Sequence, residues 1–160
     1  MAPENRPTLI DERPLCVGVV DGQGGGIGSA VIRKLKEKFE ETIHIIALGT
    51  NAIATAQMLK AQANRGASGE NAICRTTREV DILIGPVSII VAHAMMGEVT
   101  PAIAEAIARS SARKLLIPLS QENVAIVGIR PASLPELVEE LIEEHLHYLN
   151  ATPCKENRHV

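Results

Sequence analysis

Aromatic residues are nearly absent from this chain of 160 residues, which contains one Phe, one Tyr and no Trp. Base-stacking surfaces for single-stranded nucleic acids and cages for quaternary cations both require aromatic rings. A basic surplus is missing as well, because 16 Lys and Arg residues stand against 19 Asp and Glu residues, for a formal net charge of −3. Since nucleic-acid-binding domains usually have a basic face and a high pI, we expect no nucleic-acid partner.

Signals for export, membrane insertion and disulfide pairing are also missing. Residues 1–13 are polar and contain several prolines, without the apolar core of a signal peptide. Charged and helix-breaking residues interrupt the most hydrophobic stretch, Val87–Ala108, whereas a membrane span needs about 20 predominantly apolar residues. The three cysteines, Cys16, Cys74 and Cys154, are far apart in the sequence, which is typical of a reducing compartment. These absences predict a cytoplasmic protein without a membrane partner.

Hydrophobic residues make up 46 % of the chain, which is enough for one buried core. We expect a single domain over residues 14–149, with polar tails at 1–13 and 150–160. Short apolar runs predict strands at Leu15–Asp21, Ile43–Gly49, Ala72–Cys74, Val80–Ile84, Lys114–Leu119 and Val124–Ile129. Helical patterns and caps predict helices at Ile27–Phe39, Asn51–Ala63, Val87–Met96, Thr100–Ser110 and Ser133–Leu149. This alternation predicts an α/β fold, a Rossmann-like doubly wound, mostly parallel sheet in a three-layer sandwich.

A glycine-rich loop follows the first predicted strand and opens the first predicted helix. Its residues are Gly22, Gln23, Gly24, Gly25, Gly26, Ile27 and Gly28. Glycines let backbone N–H groups approach a ligand closely, and a helix N-terminus attracts anions, so the loop predicts a phosphate-binding site. Thr50 and Asn51 follow the second strand, where the ribose or base of a nucleotide would lie. The implied cofactor is NAD, NADP or another nucleotide, although a tight turn that binds nothing has the same sequence pattern.

The spacing of this loop resembles that of short-chain dehydrogenases, but the residues for their chemistry are absent. Those enzymes use a Tyr-x-x-x-Lys pair, and the single tyrosine, Tyr148, is followed by Thr152 at the position of the lysine. The second strand also ends in Gly49-Thr50-Asn51, where many NAD sites have an acidic residue for the ribose hydroxyls. Dehydrogenase chemistry of this type is therefore excluded.

Five segments form a specific string of motifs. They are Val20–Gly28 (VDGQGGGIG), Ala47–Asn51 (ALGTN), Gly66–Ile73 (GASGENAI), Asp81–Pro86 (DILIGP) and Met96–Pro101 (MGEVTP). Together they resemble a small uncharacterised bacterial family that is known chiefly as a domain of unknown function. The resemblance covers about residues 15–130. It implies a cytoplasmic Rossmann-like domain, and it supplies neither an activity nor a catalytic residue.

Polar residues in or near the predicted strand-end loops are further candidates for a ligand pocket. The candidates are Asp21, Glu70, Asn71, Gly85, Ser88 and His93, with Ser68, Glu98, Ser120, Gln121 and Asn123 nearby. Asp21 either repels a phosphate or accepts loop N–H groups and holds the turn, and we favour the second interpretation. For His93, a hydrogen-bonded histidine in an apolar helix is favoured over an acid–base pair with Glu98. Several of these residues are metal ligands by type, but no compact ligand motif indicates a metal, so we predict none.

The segment 86–108 is too apolar to form helices with one solvent-exposed face. We expect it to pack beneath the sheet or to form the contact of a homodimer.

The leading hypothesis for the function of the protein is a nucleotide- or dinucleotide-phosphate-binding protein with a regulatory or auxiliary role. One alternative is a small enzyme acting on a phosphate-containing substrate, with Asp21, Glu70 and His93 in acid–base or metal-binding roles. Another is an interaction subunit whose glycine loop is only structural.

Overall fold

The computed structural model describes residues 13–119 and 123–147. Its strands are β1 (Leu15–Asp21), β2 (Ile43–Gly49), β3 (Arg65–Ser68), β4 (Ile82–Pro86) and β5 (Arg113–Ile117). Its α-helices are α1 (Gly26–Phe39), α2 (Ala52–Lys60), α3 (Glu70–Thr76), α4 (Pro101–Arg109) and α5 (Leu134–Glu140). Short 3₁₀ helices occupy Glu40–Thr42 and Val87–Ile90, and a π-helical turn at Leu141–His145 continues α5.

The five strands form one sheet in the order β3-β2-β1-β4-β5, and all four pairings are parallel. The chain moves outward from β1 to β3 and then returns to the other side of β1 with β4. In open α/β sheets, ligands bind beyond the carboxyl ends of the strands at such a reversal. The loops after β1 and β4 therefore lie at this crevice. The parallel sheet with helices between its strands confirms the predicted Rossmann-like α/β fold.

Alternate residues of the central strands pack into two hydrophobic clusters on opposite faces of the sheet. Val17 and Val19 belong to the cluster that includes side chains of α1, α2 and α5. Val20 belongs to the other cluster, together with side chains of α3 and α4. Both faces are thus covered, which gives the three layers that the sequence predicts.

Several sequence predictions are confirmed residue by residue. The strands predicted at Leu15–Asp21 and Ile43–Gly49 have those bounds in the structure. The Thr100 hydroxyl caps α4 by accepting a hydrogen bond from the N–H of Ile103. Ser133 and Glu136 form the predicted reciprocal capping box at the start of α5. These features depend on local residue patterns, which are visible without knowledge of the tertiary fold.

The strand predicted at Ala72–Cys74 is wrong, because these residues belong to α3. The strand lies a few residues earlier, at Arg65–Ser68, within a segment that we predicted to be a loop. This strand is at the edge of the sheet and three of its four residues are exposed. An exposed edge strand has no apolar run, so the hydrophobic pattern pointed to the neighbouring helix instead.

The helix predicted at Val87–Met96 is also wrong. The chain forms one 3₁₀ turn at Val87–Ile90 and then a series of tight turns. Ile89, Ala94 and Met95 are buried in the second hydrophobic cluster, so the segment packs against the sheet, as one of the two interpretations required. The homodimer through residues 86–108 stays a prediction.

The strand predicted at Val124–Ile129 is absent from the structure, where this segment is irregular and exposed. A turn in which the N–H of Ile129 donates to the carbonyl of Ile126 interrupts it, and Gly128 has a left-handed φ of 92° there. A strand needs a partner for its backbone groups, and none of the described strands pairs with these residues. The predicted end of the last helix at Leu149 lies outside the described residues, as do Ser120 and Gln121. In the part of the chain that is described, no helix has the length and hydrophobicity to cross a membrane.

Candidate functional site

The carboxylate of Asp21 closes the glycine-rich loop at both ends. Asp21 is the last residue of β1 and only 4 % exposed. Its Oδ1 accepts a hydrogen bond of 2.8 Å from the N–H of Gly22, and its Oδ2 accepts one of 2.7 Å from the N–H of Gly28. The interpretation that this side chain holds the turn is confirmed.

Burial raises the pKa of Asp21 above its usual range, and the nearby negative charge of Glu98 acts in the same direction. The hydrogen bonds from the N–H groups of Gly28, Gly22 and Ile27 lower the pKa and offset part of this effect. The loop therefore binds a carboxyl group of its own at the N-terminus of α1.

Three glycines of the loop are required by close packing. A Cβ on Gly22 would lie 2.5 Å from Met95 Sδ and 2.5 Å from Thr50 Oγ1. A Cβ on Gly25 would lie 2.8 Å from the carbonyl oxygen of Ala54, and one on Gly28 would lie 2.5 Å from Met58 Sδ. Real Cβ atoms do not approach other atoms this closely, so these glycines have a structural role.

Gly24 and Gly26 have no such role in the fold. A Cβ on either residue would meet no atom within 4 Å, and neither residue has a positive φ. Both are exposed. Within the described residues, no group accepts a hydrogen bond from the N–H of Gly24 or Gly26. The loop thus presents two free backbone donors beside the N-terminus of a 14-residue helix.

Thr50 and Asn51 lie beside this loop, as predicted. The N–H of Thr50 donates to the Asp21 carbonyl at 3.0 Å. The Asn51 side chain caps α2 by accepting a 2.8 Å hydrogen bond from the N–H of Ala54. Its Nδ2 also donates to the Gln23 carbonyl at 3.0 Å. The end of β2 and the glycine-rich loop therefore form one connected surface.

Glu98 completes this surface from a third segment, the loop after β4. Its Oε2 accepts hydrogen bonds of 2.7 Å from the Gln23 N–H and 2.7 Å from the Thr50 hydroxyl. The Asn51 Nδ2 lies 3.1 Å from each of the two carboxylate oxygens. Burial acts to raise the pKa of Glu98, but these hydrogen bonds outweigh it and hold the pKa below its usual range.

The sequence analysis places Glu98 near the predicted pocket and considers it as a partner of His93, but it does not predict these hydrogen bonds to Gln23, Thr50 and Asn51. A signal was available, because the strand reversal brings the loop after β4 to the first glycine loop. The absence of an acidic residue after β2 was a second signal. Neither signal specifies which residue between β4 and α4 turns toward the glycine-rich loop.

Among the described residues, no hydrogen bond joins the side chains of the other predicted site residues to this surface. Glu70 and Asn71 begin α3, beyond the edge strand β3, and both are exposed. Ser88 is buried in the 3₁₀ turn after β4. Gly85 is a packing position within β4, where a Cβ would collide with the Val20 carbonyl oxygen.

His93 is exposed and has a left-handed φ of 70°, so it does not belong to a helix. Its backbone N–H donates to the Val99 carbonyl at 2.7 Å. Among the described residues, the carboxylate of Glu98 accepts hydrogen bonds from Gln23, Thr50 and Asn51 and none from His93. The acid–base pair of His93 and Glu98 is therefore not formed.

The acidic candidates and His93 do not form a metal-binding group either. Among the residues that the structure describes, one group of three possible metal ligands lies close together, and it consists of Glu140, Glu144 and His145. These residues belong to α5 and its π-helical continuation, and the two glutamates are exposed. Exposed acidic groups of this kind are common on helices without a metal.

The fold and the loop define a Rossmann-like α/β domain whose first βα loop and β4 loop meet at the strand reversal. The chain belongs to the family described as domain of unknown function DUF3842, whose model matches residues 16–150. Neither the curated proteins nor the solved structures include a match to the chain. The family supplies no activity, so the functional argument depends on the geometry of the site.

Proposed function

We propose that this protein binds a nucleotide or dinucleotide through its phosphate at Gly22–Gly28. The ribose or base end of the ligand then lies near Thr50 and Asn51, and the ligand is NAD, NADP or another nucleotide. The role that we propose is regulatory or auxiliary, and it is supported by the absence of any hydrogen bond among the described residues that joins the side chains of Asp21, Glu70 and His93.

The observation that carries this proposal is the pair of glycines at positions 24 and 26. A glycine costs stability relative to alanine wherever the chain does not need its freedom, by about 1 kcal/mol in a helix. Neither packing nor φ requires glycine at these positions. Their exposed and unpaired N–H groups beside the N-terminus of α1 are suited to phosphate oxygens.

Asp21 determines where on the loop the phosphate would bind. Its carboxylate already accepts the N–H groups at the inner side of the turn, from Gly22 and Gly28. A phosphate therefore contacts the outer donors, Gly24 and Gly26, and remains partly exposed to solvent. Separation from the buried carboxyl limits the repulsion between the two acids.

The two alternatives receive less support from the geometry. An enzyme that uses Asp21, Glu70 and His93 would need these groups on one substrate, but Glu70 follows β3, which β2 separates from the strand that ends in Asp21. An interaction subunit with a structural loop accounts for Gly22, Gly25 and Gly28, but it gives no reason for Gly24 or Gly26.

Thermal unfolding in the presence of nucleotides tests the proposal. NAD, NADP, ATP and AMP are each titrated against the melting temperature of the protein. At a free ligand concentration of 100 times Kd, binding stabilises the folded state by about 2.7 kcal/mol. The Gly26→Val variant should unfold at nearly the wild-type temperature without ligand and should lose the ligand-induced increase, because its side chain fills the space in front of the loop.

A matched control is Ala108→Val, which puts the same valine side chain at an exposed position of α4. This variant should retain the full response to the ligand. If none of the four nucleotides changes the melting temperature of the wild-type protein, the proposal is wrong and the interaction-subunit alternative gains support.

A further inference from the structure

The carboxylate of Glu98 lies where dinucleotide-binding folds place the acidic residue for the ribose. In those folds, an Asp or Glu after the second strand accepts hydrogen bonds from the ribose hydroxyls. Here Thr50 and Asn51 occupy that part of the chain, and Glu98 reaches them from the loop after β4. Its contact with the Gln23 N–H also puts it beside the first glycine of the loop.

Glu98 has acceptor capacity that the protein does not use. A carboxylate offers about four lone-pair positions for hydrogen-bond donors. Oε2 accepts from the Gln23 N–H, the Thr50 hydroxyl and the Asn51 amide. Within residues 13–119 and 123–147, Oε1 accepts only from the Asn51 amide, at 3.1 Å. Because Glu98 is partly exposed, a ligand hydroxyl can reach the open side of Oε1.

The three protein donors also keep Glu98 in one position and in its charged form. They hold the pKa of Glu98 below its usual range, so the side chain is a carboxylate at neutral pH. Among the ion pairs of the described residues, none joins a Lys or Arg to Glu98. A phosphate on the 2′-oxygen of a ribose would therefore face a fixed negative charge that no ion pair neutralises among the described residues.

We propose that Glu98 is the ribose acceptor of this site and that it restricts the ligand to nucleotides with free 2′- and 3′-hydroxyl groups. This inference rests on the proposed function, and it narrows the ligand class. NADP and other 2′-phosphorylated nucleotides are excluded by charge. Deoxynucleotides bind more weakly, because they lack a donor for Oε1.

Isothermal titration with two ligand pairs tests this assignment. NAD and NADP differ only in the 2′-phosphate, and ADP and 2′-deoxy-ADP differ only in the 2′-hydroxyl. The wild-type protein should bind NAD at least about 100-fold more tightly than NADP, and ADP about 10-fold more tightly than 2′-deoxy-ADP. In Glu98→Gln, which keeps the shape and removes the charge, the NAD/NADP ratio should decrease at least about tenfold.

The control is Glu105→Gln, which removes a charge from an exposed position of α4 and should leave both ratios unchanged. Each ratio compares the affinities of one protein for two ligands. A smaller folded fraction in a variant lowers both affinities equally, so it does not change the ratio. Equal affinities of the wild type for NAD and NADP would overturn the role of Glu98. So would affinity ratios in Glu98→Gln that equal those of the wild type. Either result would leave the proposed nucleotide site unaffected. If no nucleotide binds the wild type, the proposed function itself fails, and the role of Glu98 fails with it.

Discussion

Two loops meet at the strand reversal, residues 21–28 after β1 and residues 93–98 after β4, and they reach their shapes by different means. The first loop has two left-handed residues, Gln23 with φ 48° and Gly25 with φ 72°, so a glycine occupies one of the two positions. The second loop has four left-handed residues, and three of them have side chains: His93, Met95 and Met96, with φ values of 70°, 55° and 56°, precede Gly97 with φ 88°. A backbone conformation can thus be specified locally by glycine or imposed by contacts elsewhere in the fold.

Contacts of the second loop explain how it holds an unfavourable backbone. Four backbone hydrogen bonds close it, including that from the His93 N–H to the Val99 carbonyl at 2.7 Å. Met95 is buried against the sheet, and Glu98 is fixed by the first loop and by Thr50. Each left-handed residue costs on the order of 1–2 kcal/mol. The packing and the hydrogen bonds must offset this cost.

The largest effect should come from Gly25→Ala in the first loop. The new Cβ would lie 2.8 Å from the Ala54 carbonyl oxygen and 2.9 Å from its Cα, both of which belong to the backbone of α2. With the left-handed φ added, we expect a loss of about 3 kcal/mol in the free energy of unfolding, measured by urea denaturation.

Gly24→Ala is the control in the same loop, since its Cβ meets no atom within 4 Å and its φ is not positive. This variant should change the free energy of unfolding by less than about 0.5 kcal/mol. Similar losses in the two variants would mean that the whole loop is required by the fold, and the argument that Gly24 and Gly26 serve a ligand would then fail.

A smaller, pH-dependent effect should come from the hydrogen bonds that join the two loops at Glu98. The pKa of Glu98 is lowered in the folded protein, so its stabilising contribution is present above the unfolded value of about 4.3 and is lost as the pH falls through the folded pKa. At pH 7, Glu98→Gln should lose about 1 kcal/mol, a value that allows for solvent screening of a partly exposed group.

Urea denaturation of the wild type and of Glu98→Gln, at pH 7 and at several values below pH 4.3, measures this difference. The two curves should converge on acidification. Glu105→Gln is again the control, because its partner Arg109 is an exposed neighbour one turn away on α4. A difference between wild type and Glu98→Gln that persists at low pH would show that packing, rather than the charge of Glu98, joins the two loops.

The difference between conformations set by local residues and conformations set by distant contacts also explains how much of the fold the sequence predicts. β1, the turn held by Asp21 and the start of α1 depend on neighbours within eight residues, so a local pattern specifies them. β3 has no apolar run because it is an exposed edge strand. The apolar residues Val124 and Ile126 indicate a strand, but none of the described strands pairs with them. A hydrophobic pattern indicates that a segment tends to be buried or to form a strand. It does not indicate which strand the segment pairs with.

Glu98 is the clearest case of what local reasoning cannot supply. Its partners Gln23 and Thr50 are 75 and 48 residues away in the sequence. Three of the four left-handed residues in the loop that carries it have side chains, and only Gly97, with φ 88°, is a glycine, so the sequence marks the turn weakly. The strand reversal predicts that the two loops meet, but the identity of the contacting side chain follows only from the tertiary structure.

The smallest effect should come from Met96, where backbone strain can be separated from packing. Met96 is 96 % exposed, so its side chain buries nothing within the chain. Asn tolerates a left-handed φ better than Met. We therefore expect Met96→Asn to increase the free energy of unfolding by about 0.5 kcal/mol, measured by urea denaturation at several protein concentrations.

Val127→Asn is the comparison, since Val127 is 98 % exposed but does not have a positive φ, and it should change stability by less than about 0.5 kcal/mol. Equal gains in the two variants would assign the effect to the removal of an exposed hydrophobic side chain, and the second loop would then carry little strain at Met96. A loss of stability in Met96→Asn that grows with protein concentration would have another meaning. It would place Met96 in the predicted homodimer contact at residues 86–108, where a second copy of the chain would contribute to holding the loop that carries Glu98.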